Sequence, residues 1–289
     1  MPMENMNIQW YPGHMTKTRR QIEADLKLVD AVCEIVDARI PISSRNPDID
    51  AICGNKPRIV ILNRMDLADP AATKLWRDYF KSKGIASVAT DCKSRKGIND
   101  FQPAVRSVLK EKIERNTAKG MNKALKIMIV GIPNVGKSTL INQISGRKGA
   151  KAENRPGVTR GKQWVTVDNT LLLLDTPGIL WPKFEDPKVG LMLAFTGAVK
   201  ENVIDTEELA CHLMELLLLR YPHILRERYK VDVPPETPGY EILEEAGKKR
   251  GYLLARGEIN TERMAKVLLD EYRSGKLGKF TFEFPEDVQ

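Results

Sequence analysis

One stretch narrows the possible folds more than any other. Residues 131–139 read GIPNVGKST, placing Gly131, Gly136, Lys137 and Ser138 at the spacing G-x-x-x-x-G-K-[ST]. The stretch follows the apolar run LKIMIVG and precedes a helical pattern that begins at Lys137. A strand, a glycine-rich turn and a helix in that order make a phosphate cradle. The glycines let backbone N–H groups wrap the anion, and the helix N-terminus adds a favourable dipole. Lys137 is then expected to bridge the β- and γ-phosphates, and the Ser138 hydroxyl to ligate Mg²⁺. Asn134, Val135 and Thr139 belong to the same turn and are candidate nucleotide contacts. An accidental glycine-rich turn would not carry both flanks.

Downstream, LLLLDTPG reads as a buried strand running into a D-x-x-G switch. Asp175 ends that strand, as a carboxylate holding Mg²⁺ through water should. Gly178 is placed to offer its N–H to a γ-phosphate. Between the two motifs lies RPGVTRG, where Thr159 is the candidate switch threonine for Mg²⁺. In many GTPases a glutamine follows the switch glycine and orients the attacking water. Here Ile179, Leu180 and Trp181 follow. Such side chains cannot polarise water. Either the chain does not hydrolyse nucleotide, or the missing group comes from elsewhere.

Guanine recognition needs an acidic residue facing N1–H and the N2 amine. The stretch ILNRMD supplies Asn63 and Asp66, with Arg64 where lysine is usual, after the apolar run PRIVILN. Asp66 favours GTP over ATP, because adenine presents an acceptor where guanine presents donors. The Arg64 guanidinium can lie along the nucleotide plane. A second base loop is expected in TDCKSRKG, where Asp91, Cys92 and Lys93 occupy the place of the usual Ser-Ala-Lys. This guanine box precedes the phosphate loop, whereas in ordinary GTPases it follows. A parallel sheet tolerates such cutting and rejoining when the old termini are close, because strand positions build the site.

Strands alternating with helices up to about residue 184 imply an α/β fold, with a mostly parallel sheet covered by helices on both faces. Expected helices include one from Thr16 with Ile22, Leu26 and Val29 on one face, one over 70–83, and a long amphipathic one over 98–116. From residue 185 the pattern turns helical, so two domains are expected, 1–184 and 185–289. The charge is uneven. Residues 1–204 hold 33 Lys/Arg against 21 Asp/Glu, and the remainder 13 against 17. The basic excess, in KEKIERNTAKGMNKALK and GRKGAKAENRPGVTRGK, suits a polyanion surface or a solvated linker and loop. No apolar run approaches the length of a membrane span, and the four scattered cysteines form no C-x-x-C pair. A soluble cytoplasmic protein without structural zinc is expected.

The permuted order, together with IQWYPGHM, DARIP, GIPNVGKSTL and LLDTPGILWPKF, resembles the circularly permuted GTPases of the YlqF/RbgA family, which are bacterial ribosome biogenesis proteins. The resemblance spans essentially the whole chain. It implies a permuted P-loop GTPase domain followed by a small all-helical domain that binds RNA. It also implies GTP/GDP as ligands and hydrolysis stimulated by the large ribosomal subunit or its late precursor. Unstimulated turnover is then expected to be on the order of 10⁻⁴–10⁻³ s⁻¹. His14, after a Pro-Gly turn, is the residue the resemblance offers in place of glutamine. Histidine can orient or deprotonate water near neutral pH, but it could equally pack with Trp10 and Tyr11 at the start of a helix. By the same resemblance Asn134 coordinates K⁺ beside the phosphates, although a turn asparagine is the plainer reading. The expected RNA face carries Lys248, Lys249, Arg250, Arg263, Lys266, Arg273 and Lys276. The chain is expected to act as a monomer. Two other readings stand beside this one. One is a nucleotide-gated RNA-binding module with negligible hydrolysis. The other is an ATPase of the same loop class. Asp37 and Arg39 of DARIP sit at a strand end and could be structural or catalytic.

Overall fold

The computed structural model describes residues 20, 22–146, 163–178, 186–199, 205–255 and 257–288. They divide into two compact units, a sheet unit and a helical unit that ends at Phe282. Residues 283–288, grouped by the sequence reading with the helical region, belong to the sheet unit. The 184/185 boundary itself lies outside the described residues.

The sheet unit holds β1 (Ala31–Asp37), β2 (Arg58–Asn63), β3 (Ala86–Thr90), β4 (Leu125–Gly131), β5 (Gln163–Asp168) and β6 (Leu171–Asp175). Their order across the sheet is β3-β2-β1-β4-β6-β5. Every pairing is parallel except the β5–β6 hairpin. All seven residues of the central strand β1 are buried, as a strand covered on both faces requires. Alternation sorts the side chains. Val32, Val36, Val60, Leu62, Met128, Val130 and Leu174 pack with Ile22, Leu26, Ile49, Trp76 and Phe80. Those partners come from a helical turn at 22–26 and from α1 (Ile49–Cys53) and α2 (Pro70–Ser82). The opposite face, with Cys33, Ile35, Ile59, Ile61, Ile127, Ile129 and Leu173, is equally dry. It lies under α3 (Phe101–Val108) and α5 (Lys137–Ser145).

Parallel pairing brings the C-terminal ends of five strands to one edge. Asp37 is in register with Asn63, Asn63 with Thr90, Ile35 with Gly131, and Ile129 with Asp175. Open α/β sheets place their ligands at that edge. The guanine-box strand β2 and the phosphate strand β4 therefore flank β1, whatever their order along the chain.

The long helix expected over 98–116 is divided. A 3₁₀ turn leads into α3, and α4 (Lys110–Ala118) follows after Leu109 leaves helical geometry at φ −104°, ψ 17°. No residue of α4 is buried, so packing does not hold the two segments in one line. Of the first expected helix, 22–26 is helical with Ile22, Leu26 and Val29 buried, and its start lies outside the described residues.

The helical unit contains α6 (Pro187–Phe195), α7 (Thr206–Arg220), α8 (Gly239–Lys249) and α9 (Thr261–Ser274). Asp205 caps α7 by accepting from the N–H groups of Glu207 and Glu208 (2.9 and 3.0 Å). Helix α6 was not distinguished from sequence because GLMLAF is buried all round and shows no period. Tyr221, Tyr272, Phe280 and Phe282 form an aromatic cluster with ring centroids 5.2–6.2 Å apart. Arg273, expected on an RNA face, instead donates to the carbonyls of Ala194 and Phe195 (both 3.0 Å) and so caps α6. Arg250 lies over the Tyr229 ring and Arg263 over the Tyr252 ring. Lys248 and Lys276 are exposed.

Candidate nucleotide-binding site

The phosphate loop runs from the end of β4 to the start of α5. Gly136 takes φ +106°, and a Cβ there would stand 2.4 Å from Asn63 Nδ2. That close approach is why the position needs glycine. A Cβ on Gly178 would meet Pro133 N at 2.8 Å and Lys137 Nζ at 2.9 Å, so the D-T-P-G segment lies directly against the loop. Ser138 and Thr139 occupy the first turn of α5, half-buried.

Lys137 is buried, and its Nζ donates to the carbonyls of Gly131 (3.0 Å) and Ile132 (2.8 Å). Burial lowers its pKa to about 8, against the opposing pull of the Asp175 charge. Asp175 is buried at the end of β6. Burial raises its pKa to about 6, with Lys137 and the Thr176 N–H opposing. Asp175 Oδ1 is buried without a hydrogen-bond partner. Thr176 Oγ1 donates to Ile129 O (2.7 Å), which ties the switch strand to β4.

The guanine box grips this loop at two successive carbonyls. Asn63 Nδ2 donates to Val135 O (2.7 Å), and Arg64 Nη2 donates to Asn134 O (2.6 Å). Asn63 Oδ1 in turn accepts from Thr90 Oγ1 (3.1 Å), so one amide joins β2, β3 and the phosphate loop. Asp66 lies two residues beyond Arg64, half-buried, with its charge felt at Cys92. Asp91 Oδ1 accepts from Lys93 N (2.8 Å), and Asp91 N donates to Lys96 O (2.9 Å), closing the second base loop on itself. The bonds from Ser94 and Lys93 outweigh burial and hold the Asp91 carboxyl below its usual range. Burial pushes the Cys92 thiol up to about 12. Arg95 Nη1 donates to Gln143 Oε1 (2.8 Å), fastening that loop to α5.

Asn63, Arg64, Asn134, Val135, Gly136, Lys137, Asp175 and Gly178 are thus brought together, across the reversed chain order. His14 and Thr159 lie outside the described residues. Thr90 and Arg95 were not singled out for the site from sequence, and Asp37 was left between a structural and a catalytic part. Thr90 is the first residue of TDCKSRKG and the last of β3.

Among curated proteins, the chain is 49% identical over 286 residues to ribosome biogenesis GTPase A of Priestia megaterium, covering 98% of this chain and 99% of that one. Identity to the Thermotoga maritima protein of the same name is 32% over 281 residues, covering 97% and 96%. The chain belongs to the ribosome biogenesis GTPase A family. It is a GTPase. The family described as 50S ribosome-binding GTPase matches residues 126–232. That span includes the phosphate loop and D-T-P-G, while the guanine box lies upstream of it, as permutation requires. GNP-bound YlqF from T. maritima superposes with a TM-score of 0.64 at 28% identity, over 94% of this chain and 100% of that one. The GDP-bound TM YlqF structure gives 0.66 at 28%, over 93% and 100%.

GTPases generally use Mg²⁺. Asp175 fits that need through its unpartnered buried oxygen, which a hydrated cation would satisfy. No group of three or more His, Cys, Asp or Glu capable of holding a metal occurs among the described residues. Beside Asp175, the Ser138 hydroxyl in the first turn of α5 could offer Mg²⁺ a ligand, and Thr159, the third residue expected there, lies outside the described residues. No helix among the described residues is long and apolar enough to cross a membrane.

Proposed function

We propose that this GTPase acts in late assembly of the large (50S) ribosomal subunit in the cytoplasm, and that the subunit or its precursor stimulates its hydrolysis. The observation that carries the reading is the 49% identity, over nearly the full length, to a curated ribosome biogenesis GTPase. The grip of Asn63 and Arg64 on the phosphate loop supports a single pocket for base and phosphates. In that pocket Asp66 reads guanine, with Asp91 and Cys92 in the second base loop. Lys137, Gly136, Thr139 and the loop N–H groups hold the phosphates, and Gly178 meets the γ-phosphate. Ser138, Thr159 and Asp175 serve Mg²⁺, and Asn134 serves K⁺. His14 orients the attacking water, the role that Ile179 cannot fill. The helical unit contacts rRNA through its exposed lysines and arginines, and the protein acts as a monomer.

The test is multiple-turnover phosphate release with and without purified large subunits, in K⁺ and in Na⁺. Stimulation by subunits in K⁺, reduced in Na⁺ and lost in His14→Ala with GTP affinity retained, is the expected result. Turnover indifferent to subunits would overturn the proposed partner. Full stimulated turnover in His14→Ala would overturn the role given to that histidine.

A further inference from the structure

The DARIP motif finds its place beside the guanine box. Asp37 ends β1, in register with Asn63 of β2, and is buried. Its Oδ1 accepts from Arg39 N (3.0 Å) and Arg39 Nε (2.9 Å), and its Oδ2 accepts from Arg39 Nη2 (2.8 Å). Arg39 is fully buried. A second guanidinium shares the carboxylate, with Arg64 Nη1 3.7 Å from Oδ2. The other terminal nitrogen of Arg64 is the one that donates to Asn134 O. Arg64 therefore spans from the end of β1 to the phosphate loop. Both residues at that junction hold left-handed backbones, Arg64 at φ 60° and Asn134 at φ 58°. Asparagine tolerates that conformation, but an arginine keeps it only where its surroundings hold it.

We propose that Asp37 is a positioning residue for nucleotide binding, acting through Arg64 to hold the Asn134 carbonyl, and with it the phosphate loop, in its binding shape. A lysine in place of Arg64 would have to reach the carbonyl and the carboxylate from one nitrogen, whereas Arg64 reaches them from two, Nη2 and Nη1. The planar fork of arginine serves both at once. Arg39 has the supporting part. Burial disfavours the Asp37 charge, but Arg39 and Arg64 outweigh it and keep the carboxyl below its usual range. Asp37 is thus available as a fixed anion, even though Arg64 is part-exposed. The inference rests on Asn63, Arg64 and Asp66 being the guanine box.

Residues that act as a unit lose their effect together, and the test uses that property. Affinity for a fluorescent GDP analogue is measured on the nucleotide-free full chain for wild type, Asp37→Asn, Arg64→Lys and the double variant. Each single change should weaken binding about fivefold, the scale of a part-exposed ion pair. The double variant should bind no worse than about fivefold below wild type. Losses that multiply to about 25-fold, or an Asp37→Asn protein with lower thermal stability but unchanged affinity, would overturn the proposal. Should Asp37→Asn not fold, Arg64→Lys decides alone, since it leaves the Asp37–Arg39 pair intact, and unchanged affinity there refutes the coupling. Asp66→Ala is the separate control: undiminished guanine selectivity in that variant would sink the guanine-box reading itself.

Discussion

The phosphate-loop lysine should make nucleotide affinity depend on pH in a defined direction. In the free protein burial holds the Lys137 pKa near 8. Phosphates bound beside it would restore the ordinary value of about 10.5 or more. The bound state then takes up a proton that the free state has lost above pH 8. Through Lys137 alone, affinity should be flat below pH 7.5 and fall about tenfold between pH 7 and pH 9, equivalent to ~1.4 kcal/mol. Calorimetry at pH 8.5 in buffers of different ionisation enthalpy should show uptake of roughly three-quarters of a proton per GDP. On the acid side, Asp175 near 6 must be ionised to serve Mg²⁺, so affinity for the Mg²⁺–nucleotide should also decline below pH 6. The same Lys137 shift works oppositely on the stability of the empty protein. Between pH 8 and 10.5 the unfolded chain binds the proton more tightly, so stability should rise with pH there. Equal GDP affinity at pH 7 and pH 9, with no proton uptake at pH 8.5, would refute the buried-lysine reasoning.

Gly136→Ala should abolish measurable GDP binding in a filter assay, because its Cβ would sit 2.4 Å from Asn63 Nδ2 on a backbone at φ +106°. Glu271 accepts from Arg228 Nε (3.0 Å) and Tyr229 OH (2.8 Å) inside the helical unit. Glu271→Ala leaves that hydroxyl buried and unpaired, and should cost about 2–3 kcal/mol by urea denaturation. Burial favours neutral Glu271, but the Arg228 and Tyr229 bonds prevail and lower its pKa. Its contribution is therefore present above about pH 4.5 and lost as pH falls through the lower folded value. Glu283→Ala removes the acceptor of the Ile42 and Ser43 N–H groups (2.6 and 2.9 Å), and hydrogen exchange at those two amides should accelerate.

Much of the site was legible because its requirements are local. A glycine-rich turn between an apolar strand and a helix reads as a phosphate loop from nine residues. An apolar strand ending in Asn-Arg-x-Asp reads as a base site. The break at Leu109 was not legible, because the amphipathic pattern continues while packing does not: Val105 is buried and α4 has no buried residue. Helix α6 escaped for the converse reason, since burial all round erases the period that announces a surface helix. Arg273 looked like any other exposed cation of a basic helix, and only the fold sets it against the carbonyls of Ala194 and Phe195.

Most of the elements, their alternation, the two halves of the pocket and the reversal of their order could be read from the chain alone. Each depends on residues near one another in the chain, where periodicity and turn chemistry act. That β1 separates β2 from β4 and sets Asp37 beside Arg64, and that Asn63 and Arg64 close on adjacent carbonyls about seventy residues away, emerges only from the packed fold. Those contacts follow from strand register and sheet order, and a side chain's partner across a sheet leaves no local trace in its own segment.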